Sequence, residues 1–255
     1  MQRADFNDLP AVSEWIGNPL LRIGLVLWAI TSIGGFLCLL LYSTTPGQLS
    51  TDVHSWPSKS RIVPDASRAN LVLLVHPHCP CSRASVAELS EILTRCKGLV
   101  AAHVLFLKPS DKSAGWEVTE LWHQAASIPG VQVLTDEAGR EAQRFGAATS
   151  GDAALFNSDG RILFRGGITV ARGHAGDNDG RHAIIGLLSG EIDGPLERIV
   201  FGCPLFSSDF SAASRNVAIG LPRHEPNASH GRDHQRTATL AKQSTHHAES
   251  DSPER

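Results

Sequence analysis

The chain lacks a strong excess of charge of either sign: 23 Lys and Arg face 26 Asp and Glu, a net charge of −3 over 255 residues. That balance leaves no basic stripe of the kind that neutralises phosphates, so no nucleic-acid partner is expected. No phosphate-cradling glycine fingerprint follows a strand. The glycine-rich run RGHAGDNDG (172–180) has no Lys-Ser/Thr ending, so no nucleotide or other organic cofactor is expected. No Ser-His-Asp arrangement supports hydrolysis. No small-x-small cleavage site follows the apolar stretch near the N-terminus, which argues against a removed signal peptide. What remains, 42% hydrophobic and 19% charged, fits one globular domain with appendages.

The appendages are distinct in composition. Residues 1–22, with Arg3 and Arg22 against Asp5, Asp8 and Glu14, read as a cytoplasmic leader. Residues 23–42 (IGLVLWAITSIGGFLCLLLY) hold no charge and are long enough to cross a hydrocarbon core of about 30 Å. They exceed the 7–15 apolar residues of a signal peptide and predict a single transmembrane helix, with Cys38 as packing. Arg22 tips the orientation toward N-terminus inside, although Lys59 and Arg61 nearly balance it. Disulfide-forming pairs persist mainly in oxidising compartments. The body is therefore expected outside a bacterium-like cytoplasmic membrane, in the periplasm. Residues 43–68, rich in Ser, Thr, Pro and Gly, read as a linker in which Trp56 docks on the domain or the lipid. Residues 207–255 are poor in apolar groups and read as a largely disordered tail, whose His224, His230, His234, His246 and His247 are read as solvated rather than metal-scavenging.

The stretch at 71–97, LVLLVHPHCPCSRASVAELSEILTRCK, organises the domain at 69–206. Residues 71–75 are a continuous apolar strand, and Val86, Leu89, Ile92, Leu93 and Cys96 form one apolar stripe at helical spacing. Between them lies a His/Pro/Cys turn. Proline restricts the residue before it and suits the first helical position, so Cys79 is expected as N-cap, Pro80 as the first helical residue and Cys81 as the second. Unpaired N–H groups and the helix dipole there favour a thiolate, which makes Cys79 the candidate nucleophile. Protonated His76 and His78 would push the same way. Cys81 would resolve the mixed disulfide and His78 would assist proton transfer. Cys96 is a core residue.

Downstream, residues 99–107 form a second strand, and Val118, Leu121, Trp122 and Ala125 a helical stripe. Residues 131–134 are a short strand, 135–139 a turn, and Ala142 and Phe145 face the core from a short helix ending at Gly146. Strands at 153–156 and 161–164 flank the loop Asn157-Ser158-Asp159-Gly160, after which Gly166-Gly167 bends the chain away. A helix over 181–188, capped by Asp179, closes the sheet. The pattern is a three-layer α/β/α domain with a mixed sheet.

The element order, together with GAATSGDAALFNSDGRILFRGG (146–167), resembles a membrane-tethered thioredoxin-like domain. HPHCPCSRAS, SDGRILFRGGIT, RGHAGDNDGRHA and FGCPLF together are most similar to the RedB-type thioredoxin-like proteins. The resemblance covers about residues 69–206 and implies thiol-disulfide oxidoreductase activity on protein thiols or disulfides, with a redox-active centre at Cys79 and Cys81. Two departures stand out. The family's pair is Cys-x-x-Cys, whereas Pro80 alone separates these two; so small a disulfide ring is strained and correspondingly oxidising. Gly151 occupies the position of the family's cis-proline, which shapes the substrate-binding edge.

Cys203, in FGCPLF, repeats the Cys-Pro pairing after the last helix. It is read as resolving a Cys79 disulfide, as a metal ligand, or as a buried thiol. With His76, His78, His174, Cys79 and Cys81 it offers soft ligands for Cu(I) or Zn(II). The rival functions are thus a tethered copper or metal-binding domain and a non-catalytic scaffold that binds a partner.

Overall fold

The computed structural model describes residues 19–48 and 53–206. Most of the expected leader and all of the expected tail lie outside the described residues. Helix α1 (Pro19–Thr44) extends the apolar stretch at both ends, and none of its side chains is buried against protein. Its 26 residues span about 39 Å at 1.5 Å each, more than a hydrocarbon core requires. A helix apolar over nearly all of its length, with no buried residue, is a candidate membrane anchor.

The domain is a six-stranded mixed sheet in the order β3-β2-β1-β4-β5-β6. Strand β1 (Ala69–Val75) lies at its centre, parallel to β2 (Val100–Lys108) and antiparallel to β4 (Asp152–Phe156). β3 (Val131–Glu137) continues the parallel half; β5 (Ile162–Gly167) pairs antiparallel with β4, and the short β6 (Leu196–Glu197) runs parallel to β5. Side chains alternate between faces along each strand. Leu71, Leu73 and Val75 thus meet α2 (Ser82–Arg95), α3 (Glu120–Ala126) and α5 (Asp179–Ser189), whose apolar stripes include Leu89, Leu121 and Ile184. Val72 and Leu74 point to the other face, covered by α4 (Arg140–Arg144) with Phe145. This is the three-layer thioredoxin-like arrangement that the resemblance implied.

Four local expectations are corrected. The helix expected from Val118 begins only at Glu120, and Val118 is 44% exposed in the preceding loop. β3 runs on to Glu137 instead of turning at Thr135, because Phe106, Leu107 and Lys108 continue to pair with it and Lys108 Nζ meets Glu137 at 3.1 Å. Helix α5 is capped by Asn178, whose side chain accepts the Arg181 N–H at 2.8 Å, and not by Asp179. Gly166 and Gly167 are strand residues, with no bend. A Cβ on Gly166 would lie 2.1 Å from the Arg198 carbonyl oxygen, so the missing side chain admits the returning chain beside β5.

The linker reaches the domain through Trp56, one of the two placements expected of that residue. Ser55 bridges Arg161, and Trp56 packs edge-on against Phe145 and Phe156, each with ring centres 5.1 Å away. Ile62 is buried, while Ser60 Oγ and the Arg61 N–H donate to Glu141. The described residues 53–68 are a fitted strap over the α4 face. A few large anchors hold a stretch whose average composition is that of a spacer.

Candidate functional site

β1 ends at Val75, and the chain enters a tight turn in which the Cys79 N–H donates to the His76 carbonyl at 3.1 Å. The Cys79 carbonyl accepts from Ser82 N–H at 3.1 Å, and that of Cys81 from Ala84 N–H at 3.2 Å. Cys81, with φ −66° and ψ −29°, is therefore the N-cap of α2, and Cys79, expected to cap it, lies two residues earlier. The cause is the 3₁₀-type bond across Pro80, which places an extra turn ahead of the helix.

Cys79 remains an activated thiol in this position. Burial alone raises its pKa, but donation to its sulfur from the Cys203 side chain and N–H, from Ser82 Oγ and from the Cys81 N–H outweighs burial and lowers it. Cys79 is only 3% exposed and Cys81 8%. Burial, with the charge of Cys79 beside it, raises the Cys81 thiol. Cys203 is pushed up to about 12 by burial and by its bond to Cys79. The two sulfurs share a hydrogen bond in which Cys79 is the more acidic thiol and Cys203 the less acidic.

The contact between them is 2.9 Å from sulfur to sulfur. A chain segment from beyond β6 makes it. Ser150 N–H donates to the Cys203 carbonyl at 2.8 Å and Leu205 N–H to that of Ala148 at 2.9 Å, with Thr149 opposite Pro204 as an antiparallel bridge. A Cβ on Gly202 would lie 1.9 Å from the Ser150 oxygen, so glycine is what lets the segment seat. Arg172 donates to the Gly202 carbonyl and to that of Thr45, and its guanidinium lies 5.1 Å over the Tyr42 ring. One side chain thus joins the C-terminal end of α1 to the Cys203 segment. Its charge also lowers Cys81 and Cys203, against the stronger effects above.

The three sulfurs of Cys79, Cys81 and Cys203 all lie within 4.8 Å of one another, and among the described residues no histidine joins that cluster. His76 donates its N–H to Ser150 Oγ at 2.7 Å and accepts the His78 N–H on Nδ1 at 3.2 Å. Burial, then the neighbouring His78, lowers its pKa, so it favours the neutral form rather than lending charge to Cys79 as expected. His78 turns toward the loop before α3: Nε2 lies 3.2 Å from the Trp116 carbonyl and the rings are 4.4 Å apart. His174 is exposed, with Nδ1 2.8 Å from the Arg172 carbonyl. Each of the three rings is engaged through one nitrogen outside the sulfur cluster.

Gly151 departs from proline for a structural reason. Its φ is +93°, closed to proline, and its N–H donates to Leu74 at 2.7 Å. The edge beside the thiols is instead occupied by the chain's own residues 203–205. Sequence reasoning missed Ser82, Ser150 and Arg172. Ser82, adjacent to Cys81 at a helix start, carried a local signal; the other two gain their roles only through the returning segment. A cleft of about 260 Å³ opens beside Cys79 between Pro77, His78 and Pro80 on one wall and Thr119, Glu120 and Leu121 on the other. That is below the roughly 300–1,000 Å³ of small-molecule sites and suits a single side chain.

No protein-family model matches the chain, and no curated protein matches it in sequence. Among solved structures it is similar to an uncharacterized conserved protein from Geobacillus kaustophilus, at 15% identity over 64% of this chain and 98% of that one, with a TM-score of 0.49. A hypothetical protein from Sinorhizobium meliloti 1021 is 20% identical over 65% of this chain and 97% of its own, with a TM-score of 0.44. The pneumococcal exposed lipoprotein thioredoxin from Streptococcus pneumoniae is 15% identical over 49% and 86%, at 0.37. By its strand order and by the turn that carries its cysteines, the domain is thioredoxin-like in fold.

Proposed function

We propose that the protein is a membrane-anchored, extracytoplasmic thiol-disulfide oxidoreductase in which Cys79 is the nucleophile and Cys203 the resolving thiol. The observation that carries this is the 2.9 Å contact between the sulfur of Cys79, whose pKa is lowered, and that of Cys203. The Cys79 thiolate attacks one sulfur of a partner disulfide, forming a mixed disulfide and expelling the partner's other sulfur as thiolate. Cys79 then bears no charge, which removes one cause of the high Cys203 pKa. Cys203 loses its proton, attacks the Cys79 sulfur, and releases the second partner thiolate. Two electrons have passed to the partner, and a Cys79–Cys203 disulfide remains. The reverse sequence oxidises a partner dithiol.

The 2.9 Å contact of Cys203 with the nucleophile favours it over Cys81, the thiol expected to resolve. His78, in the wall of the cleft, is placed to exchange a proton with a bound partner thiol. Partners are protein thiols or disulfides, whose side chain fits the cleft. The anchor α1 and the residence of stable disulfides in oxidising compartments favour the outer face of the membrane.

The test is a redox titration of the full chain in detergent and glutathione buffers, with each thiol mapped by alkylation and mass spectrometry. A single two-electron transition joining Cys79 to Cys203 is expected. Pairing of Cys79 with Cys81 would return the resolving role to Cys81, and absence of any disulfide would refute the oxidoreductase reading. Labelling of intact cells with a membrane-impermeant thiol reagent after reduction should reach Cys79; labelling only after lysis would place the domain inside.

A further inference from the structure

We infer that the reduced protein binds one Cu(I) ion through the sulfurs of Cys79, Cys81 and Cys203. This site shares two sulfurs with the exchange chemistry proposed above but stands without it. Three sulfurs from two distant parts of the chain converge within 4.8 Å, with no carboxylate or imidazole among them. Metal–sulfur bonds of about 2.3 Å in a trigonal plane set their sulfurs about 4 Å apart, which the present spacing brackets and small side-chain rotations reach. An all-sulfur donor set selects soft ions. With no fourth protein ligand among the described residues, the set suits a three-coordinate monovalent ion better than tetrahedral structural zinc.

Burial and charge agree with this. Cys79 and Cys81 are buried and Cys203 half-buried, so a bound ion is shielded from water and oxidant. Three thiolates around one Cu(I) carry two net negative charges, and Arg172, whose guanidinium acts electrostatically on both Cys81 and Cys203, offsets part of them. Loading displaces the protons of Cys81 and Cys203. The feature that disulfide exchange leaves unused is Cys81: Cys79 and Cys203 complete the redox couple, whereas the metal needs all three. Oxidation of Cys79 and Cys203 by a partner disulfide, which takes both electrons and leaves as two thiolates, would leave one protein thiolate and release the ion, its charge unchanged.

The experiment is anaerobic titration of the reduced full chain in detergent with Cu(I) against a chromophoric Cu(I) chelator. One Cu(I) per chain is expected. Cys81→Ser should lower affinity by more than the roughly 10–100-fold that follows loss of a group merely supporting a ligand, while the Cys79–Cys203 disulfide still forms and so certifies the fold. Cys96→Ser should change nothing. Copper retained at full affinity by Cys81→Ser, or by a variant lacking all three cysteines, would overturn the site and place the metal on the histidines past residue 206. Preference for Zn(II) over Cu(I) would overturn the coordination argued here. Failure of copper binding with the disulfide intact would sink this inference alone; failure of the disulfide with copper bound would sink the oxidoreductase alone.

Discussion

The two faces of the sheet are covered in different ways. On one, α2, α3 and α5 lay amphipathic stripes over Leu71, Leu73 and Val75. On the other, Val72, Leu74 and Phe156 are closed by the five-residue α4 and by irregular chain from both sides of the domain: Trp56 and Ile62 before it, Leu205 and Phe206 after it. Regular cover announces itself by periodicity, while irregular cover consists of single anchors spaced by polar residues. The thiol cluster draws on both kinds, since Cys79 and Cys81 come from the start of α2 and Cys203 from the segment that ends in Leu205 and Phe206.

Removing the chemistry from each side in turn breaks the comparison most sharply. Cys79→Ser is expected to slow exchange with a model disulfide by about 10³-fold or more, the scale of losing a covalent nucleophile. Cys203→Ser should leave the first attack in place and accumulate the mixed disulfide with Cys79, visible as a mass adduct. Equal, complete loss of first attack in both variants would show that Cys203 activates Cys79 rather than resolving it.

The covers can be compared by stability. Leu89→Ala, beneath α2, is expected to cost about 2–5 kcal/mol, the range for a fully buried leucine. Trp56→Ala, only half-buried, should fall at the low end of the roughly 3–5 kcal/mol seen for large aromatics. Denaturant titration of the full chain in detergent reads both. A Trp56 effect near zero would restore the tether that composition suggested.

Much of the regular half was legible in the sequence, for a physical reason: a strand buried on both faces must be apolar throughout, and a helix on a sheet must repeat its apolar residues every three or four positions. The thiol turn was legible because proline constrains its neighbours. Its details were less so, since the bond from Ser82 N–H to the Cys79 carbonyl shifts the cap by two residues and no local propensity encodes that choice. The strap at 53–68 and the seat of Cys203 were legible only as alternatives, Trp56 on the domain or the lipid and Cys203 as resolving thiol, ligand or buried thiol. They depend on fits such as Gly202 against Ser150 and Trp56 against Phe145, between residues far apart in the chain.

Gly202→Ala tests that fit with a smaller expected effect. The added Cβ would sit 1.9 Å from the Ser150 oxygen, so the segment must move outward. Overpacking of this kind costs about 1–3 kcal/mol, and here the Cys79–Cys203 pairing bears it directly. The disulfide should become correspondingly harder to form, about tenfold for each 1.4 kcal/mol. An unchanged pairing equilibrium would mean that the segment seats without Gly202.

The smallest effect expected is that of Ser82→Ala on the thiolate. Ser82 Oγ is one of several donors to the Cys79 sulfur, and it also lies 2.7 Å from Ser150 Oγ. Because the donors lower the Cys79 pKa, removing one raises it and shrinks the thiolate fraction at neutral pH. Alkylation of Cys79 by iodoacetamide should therefore slow at pH 7 and recover at alkaline pH, where both proteins are fully ionised, so the rate profile moves to higher pH with its plateau unchanged. A profile displaced to lower pH would reverse the sign of the Ser82 contribution. A lowered plateau with no displacement would mean that Ser82 governs access to the sulfur, and that Cys203 and the Cys81 N–H suffice to hold the charge.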